Sequence, residues 1–281
     1  MTRLDRALLS LDGLSVGDAL GAQFFTTTPA ATTPWPWTDD TQLACLLVAE
    51  LRDHGEVDQD RLAASFAEHH DPYRGYGPGA VVVLRRIRDG VPWQVAARES
   101  FGGEGSCGNG AAMRVAPLGA YFADDLDAVV AQAIRSAEVT HPHPEGVAGA
   151  VAVAVAAAVD RASLFDAVLD HLDDGEVRRG VSRARTLTGP VAYAAHELGN
   201  GARTTAQDTV PFTLWVAADH HDFRDAFFAC VEAGGDVDTT AAIVGGILGT
   251  PPPDWLASRE PLPADLRTSR DARDFLPGTS T

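Results

Sequence analysis

Cysteine is scarce in this chain. Three thiols, Cys45, Cys107 and Cys230, are scattered through 281 residues. An odd, unevenly spaced set excludes a disulfide scaffold and shows no metal-ligand spacing, so reduced thiols in a cytoplasmic protein are expected. Positive charge is also short. With 22 Lys and Arg against 39 Asp and Glu, the formal net charge is -17 and the pI is near 4.7. A surface this acidic repels phosphate backbones, which argues against nucleic acid as a partner. It still allows a small anionic ligand, because a local cation cluster overrides the mean field. No long apolar run is free of charges and turn residues. The stretch 146–159 is too short for a bilayer span and reads as a buried core helix, so no membrane partner is expected. The N-terminus carries charges inside its apolar pattern and lacks a secretory core and cleavage site. Period-two alternation is nearly absent, as are internal repeats and strong linkers.

What is present is helical. The apolar fraction is 45%, ample for a core, and alanine dominates. Leu4, Leu8, Leu11 and Leu14 repeat with helical period over residues 3–14, before a Gly-Asp-Ala-Leu-Gly stretch at 17–21. Residues 26–37, rich in Thr, Pro and Ala, predict irregular chain. Thr38 reads as an N-cap, with Leu43, Leu46, Leu47 and Leu51 on one face and His54-Gly55 as the stop. Further helices are expected at 58–69, 79–89, 92–100, 109–121, 124–139, 145–159, 162–172, 176–187, 190–198, 211–218, 223–232 and 238–248. The tail after 262 is expected to be loosely held. The reading is an all-α fold, one compact multi-helix domain over 1–281.

Two acidic segments stand out. Thr38-Asp39-Asp40-Thr41 and Gly235-Asp236-Val237-Asp238-Thr239 each open an apolar helix. Either alone is explained by capping, since acids at a helix N-terminus contribute about 0.3–1 kcal/mol each. Together they supply four carboxylates, matching the charge of two divalent ions. Oxygen-only ligands favour Mg²⁺, Mn²⁺ or Ca²⁺ over zinc. A glycine-rich stretch at 102–110 leads into a helix, where backbone N–H groups can approach an anion. Thr140-His141-Pro142-His143-Pro144 joins two apolar helices. It is either a proline turn with surface histidines or a site where His141 donates to a phosphate or sugar oxygen.

In combination these segments resemble the ADP-ribosylglycohydrolase family. The matching stretches are 17–21, 37–42, 108–114 with Pro117-Leu118-Gly119, 140–145 and 234–248, in the family's order. The resemblance implies an all-α fold with a two-Mg²⁺ or two-Mn²⁺ site that cleaves the bond between the ribose C1″ of ADP-ribose and an acceptor. It implies that Thr38, Asp39, Asp40, Asp236, Asp238 and Thr239 hold the metals, and that Asp39 or Asp40 polarises a water. Ser106, Gly108, Asn109 and Gly110 then contact the diphosphate and nearby ribose, and His141 holds the same ligand. Phe101 is placed to stack on adenine, a contact of about 1–3 kcal/mol. Cys107, where some relatives have a second aromatic, and Met113, which by itself reads first as a core residue, complete the substrate-facing set.

The chain also departs from the family. A glutamate that many relatives carry after the 17–21 stretch would fall at Phe25. The segment 21–38 is short and rich in Thr, Pro and aromatics, including Phe24, Phe25, Trp35 and Trp37. An apolar lid suits a less charged leaving group than an arginine guanidinium, such as a small NAD-derived or ribosylated metabolite. The missing glutamate also keeps a non-catalytic ADP-ribose binder in view. A divalent-metal phosphohydrolase is disfavoured, because no further nucleophile or base stands out. The oligomeric state is left open, a monomer included.

Overall fold

Gly13, Gly17 and Gly21 recur at every fourth position, so all three lie on one helical face. In the computed structural model, which describes residues 1–25 and 33–267, that face is the central seam of the fold. Helix α1 (Arg3–Gly21) runs through the Gly-Asp-Ala-Leu-Gly stretch instead of stopping before it. It starts with a reciprocal capping box, in which Asp5 N–H donates to Thr2 Oγ1 and Thr2 N–H to Asp5 Oδ2.

The other helices follow as α2 (Asp39–His54), α3 (Gln59–Glu68), α4 (Pro78–Arg88), α5 (Trp93–Arg98), α6 (Ala116–Tyr121), α7 (Leu126–Glu138) and α8 (Pro144–Ala158). Then come α9 (Leu164–Asp170), α10 (Glu176–Ala184), α11 (Val191–Leu198), α12 (Ala206–Asp219), α13 (Phe223–Ala233), α14 (Val237–Leu248) and α15 (Pro253–Ser258). Among the described residues there is no strand, only two isolated bridges, Trp35 with Arg259 and Gly108 with Thr205. The fold is all-α, as expected, and no helix of the described residues is long and apolar enough to cross a membrane.

Several boundaries differ from the sequence expectation, each for a physical reason. The helix expected over 109–121 splits into a 3₁₀ turn (Asn109–Ala111) and α6. Asn109 N–H donates outside the helix, to Thr204 O, and Pro117 sits in the first turn of α6 where its missing N–H costs nothing. Helix α12 begins at Ala206, ahead of the expected 211, and carries Pro211 within it. Helix α14 ends at Leu248, as expected, and a further short helix, α15, opens at Pro253. The stretch after 262 is packed as far as it is described. Leu266 is buried against Leu8 and Leu11, and Arg267 forks onto both oxygens of Asp12. Residues 268–281, and residues 26–32 of the lid segment, lie outside the described residues.

Helix α14 packs along α1 so closely that side chains are excluded. A Cβ on Gly13 would lie 2.0 Å from Gly249 O, one on Gly17 2.1 Å from Ala241 O, and one on Gly21 2.7 Å from Asp238 Cα. The seam therefore sets the N-terminus of α14 beside the C-terminal turn of α1. Helix α8 is buried over most of its length, from Gly146 to Ala156, and anchors the larger core cluster with α6 and α7.

Candidate functional site

Asp18, on α1, is fully buried. Its Oδ1 accepts from Thr38 Oγ1 at 2.7 Å. Its Oδ2 accepts from Thr38 N–H at 2.9 Å, Thr41 N–H at 3.2 Å and Thr41 Oγ1 at 2.5 Å. One carboxylate thus pins the start of α2, and the Thr38 side chain does not cap its own helix. The Thr38 hydroxyl also lies 3.2 Å from Asp40 Oδ2. Asp39 N–H donates to Arg74 O at 2.8 Å. These contacts present Asp39 and Asp40 forward from the helix start.

The second acidic segment arrives from α14. Asn109 Nδ2 donates to Asp236 Oδ2 at 2.8 Å, and Thr239 N–H donates to Asp238 Oδ1 at 2.7 Å. Oxygens of Asp18, Asp40 and Asp238 gather within 4.8 Å of one another, a group able to hold a metal ion. Burial, then the charges of Asp18 and Asp236, push the Asp39 carboxyl up to about 7. Burial first and neighbouring carboxylates second also raise Asp40 and Asp238 well above the usual range. Like charges crowded in a poorly solvated place favour either protons or cations. Asp40 Oδ1 is buried with no hydrogen-bond partner among the described residues.

These acids form one end of a cavity of about 450 Å³. Asp39, Asp40, Asp236, Asp238 and Thr239 line it, together with Phe101, Ser106, Cys107, Gly108, Asn109, Gly110, Met113 and His141. Thr38 does not, being turned towards Asp18. His141 is a buried residue under the glycine loop, not a surface histidine. A Cβ on Gly110 would come within 2.8 Å of its Cε1, which requires glycine there unless the ring shifts, and one on Gly108 would come within 3.2 Å of its Nε2, a tight fit. Burial, then the charge of Arg114, push the ring down to about 3, so it is neutral. Met113 serves both readings, buried in the core and lining the cavity. Phe101 is 62% exposed at the mouth, its ring over Gly79. Phe25 ends the turn after α1, is 56% exposed, and is not among the described residues lining the cavity.

Two parts of the site escaped sequence reasoning. Asp18 was legible only as a letter of a motif, although an acid inside an apolar helix face is itself a signal for a buried partner set. The loop Arg203-Thr204-Thr205 also lines the cavity. It is tied to the glycine loop by Asn109 N–H to Thr204 O and Ala206 N–H to Cys107 O, pairings that no local pattern reveals.

Residues 1–268 match the family model described as ADP-ribosylglycohydrolase. The chain is 30% identical to ADP-ribosylhydrolase ARH3 of Gallus gallus over 271 residues, covering 80% of this chain and 74% of that protein. It is 30% identical to the Homo sapiens ADP-ribosylhydrolase ARH3 over 256 residues, covering 76% and 70%. A solved structure titled ADP-ribosylglycohydrolase-related protein complex superposes with a TM-score of 0.69 at 26% identity, over 92% of this chain and 93% of that one. With the fold, the acidic cluster and the full-length match in agreement, the chain belongs to the ADP-ribosylglycohydrolase family.

Proposed function

We propose that this protein is a divalent-metal-dependent hydrolase that cleaves the N- or O-glycosidic bond at the ribose C1″ of an ADP-ribosylated substrate and releases ADP-ribose. The observation that carries the reading is the convergence of Asp39, Asp40, Asp236 and Asp238 at one end of a cavity walled by the glycine loop over His141. The oxygen-only donor set and the unpartnered Asp40 Oδ1 fit Mg²⁺ or Mn²⁺. Two such ions would be held by these four acids with Thr239 and Thr38, whose hydroxyl proton is committed to Asp18 and whose oxygen lone pairs are left for an ion. When bound, the ions supply Lewis-acid polarisation and a fixed template for ribose hydroxyls.

The chain's own residues do the rest. Asp39 or Asp40 takes the proton from the attacking water. The carboxylates stabilise the positive charge that develops on the ribose as the acceptor leaves. Thr140 Oγ1 lies 2.7 Å from His141 Nδ1, and a hydroxyl donating there would leave the ring proton on Nε2, which faces Gly108 and Gly110. Ser106, Cys107, Gly108, Asn109 and Gly110 hold the diphosphate and ribose, Met113 backs them, and Phe101 stacks on adenine. Phe25 in place of an acid, within the short 21–38 segment rich in Thr, Pro and aromatics, favours an acceptor less charged than protein arginine, including small NAD-derived metabolites.

The second reading is a non-catalytic ADP-ribose binder, favoured by Phe25 alone. Calorimetry with ADP-ribose and Mg²⁺, followed by assay of ADP-ribose release from arginine, serine and small-molecule conjugates, separates the two. The enzyme reading expects release from at least one conjugate, fastest where the acceptor is uncharged. Tight binding with no release from any of them selects the binder.

A further inference from the structure

Four aspartates line the cavity, and the ligand proposed for it carries a diphosphate. That dianion needs a cation that can reach it. Arg114 lines the cavity but is fully buried, its guanidinium donating to Gly110 O and Ser136 O and lying over the Phe66 ring, with its Nε left without a partner among the described residues. His141 is neutral for the reasons given above. Among the described lining residues, this leaves Arg203 as the cation with a solvent-exposed head.

Arg203 stands on a hydrogen-bonded backbone with a loosely held side chain. Gly201, two residues before it, lies against Asp236, where a Cβ would come within 2.6 Å of the Asp236 Cβ. Thr204, one residue after it, gives its carbonyl to Asn109 N–H at 3.0 Å. The loop thus runs from the acidic end of the cavity to the glycine loop, with Arg203 between them. Thr204 adopts φ +53, a conformation that a β-branched residue holds only when its surroundings over-determine it. Here they do, because Thr204 N–H donates to Gly201 O at 2.7 Å and Arg203 N–H to Asp208 Oδ2 at 2.9 Å. The Arg203 guanidinium itself is held weakly. Its side chain is 83% exposed, and its nearest acid, Asp208, is 3.9 Å away.

We infer that Arg203 is a ligand-binding residue whose guanidinium leaves Asp208 to fork onto the diphosphate of the bound ADP-ribose moiety. This rests on the ADP-ribose reading above and adds to it a charge contact that the glycine loop alone does not supply. A planar guanidinium suits the paired oxygens of a diphosphate, and an exposed arginine on a fixed loop can close over the ligand after entry.

The test is ADP-ribose affinity by calorimetry in Mg²⁺ for the wild type, Arg203→Gln and Arg203→Lys, at about 50 mM and about 500 mM NaCl. The inference expects Arg203→Gln to bind about tenfold more weakly at low salt, with the gap narrowing at high salt. It expects Arg203→Lys to recover part of the loss, with melting temperatures unchanged. Affinity of Arg203→Gln within twofold of wild type overturns the inference and leaves the ADP-ribose reading standing. A loss equal at both salt concentrations also overturns it, since that marks a change in loop structure instead of a charge contact. A wild type that does not bind ADP-ribose overturns the reading itself, and the inference with it.

Discussion

Replacing Gly17 by alanine tests how the site is built. A Cβ at this position would lie 2.1 Å from Ala241 O and 2.5 Å from Ala241 C, both backbone atoms of α14 that no rotamer change can move aside. Real Cβ atoms stay beyond 3.0 Å of such neighbours, so α1 and α14 must separate by about 0.9 Å at the crossing. Overpacking of this kind costs about 3 kcal/mol at the upper end of its usual range. Alanine's better helix propensity returns about 1 kcal/mol. The net loss of about 2 kcal/mol corresponds to a fall in melting temperature of about 4–8 °C. Function should suffer more than stability. Asp18 follows Gly17 directly, and Asp238 rests on Gly21. The displacement therefore exceeds the tolerance of about 0.5 Å within which a binding constellation works. Thermal unfolding and Mn²⁺ calorimetry measure the two effects. Gly77→Ala is the comparison, because Gly77 has φ −60 and nothing within 4 Å of its Cβ position; as the N-cap of α4 it should cost no more than about 1 kcal/mol and leave Mn²⁺ binding unchanged. A Gly17→Ala protein that melts with the wild type and binds Mn²⁺ equally well would refute the reasoning.

Two further outcomes follow from burial. Cys45 and Cys230 are buried, and burial pushes both thiols up to about 12, whereas Cys107 is half-buried and lines the cavity. A thiol reagent should therefore label Cys107 alone in the native protein, and ADP-ribose should slow that labelling; equal reactivity of all the thiols, or no protection, contradicts the cavity assignment. His141 falls from an ordinary 6.5 to about 3 on folding, so the unfolded chain binds the extra proton between those values. Its contribution to stability is complete above pH 6.5 and is lost as pH falls towards 3, by up to about 1.4 kcal/mol per pH unit. Between pH 6.5 and 4.5 the stability of His141→Asn should fall less steeply than that of the wild type, as read by urea denaturation; parallel slopes would show that the ring is not buried neutral.

The sequence exposes parts of this architecture whose chemistry is local. Asp39, Asp40, Asp236 and Asp238 are legible because paired acids at helix starts are unusual side by side, and the glycines at 108 and 110 because they precede a turn. The helix interiors are legible from apolar period, as in α2, or from a short continuous apolar run, as in α8. What stays hidden depends on partners distant in the chain. Asp18 takes its hydrogen bonds from Thr38 and Thr41, and two of those donors are backbone N–H groups that carry no residue signature. Thr38 reads as a cap, yet its hydroxyl turns to Asp18. The seam of Gly13, Gly17 and Gly21 is visible as spacing, but only its partner on α14 shows that it sets the distance between acids. The break between Asn109 and α6 comes from Thr204, 95 positions onward in the numbering.

The central claim is that the acidic cluster works through divalent ions to release ADP-ribose. Its most direct test is ADP-ribose release from the best conjugate by the wild type, first with Mg²⁺ or Mn²⁺, then after EDTA, then after metal is restored, with Asp238→Ala run in parallel. The account predicts release that stops with EDTA, returns with metal, and is absent from Asp238→Ala at every stage. Release that persists in EDTA, or an Asp238→Ala protein that turns over like the wild type, would contradict it.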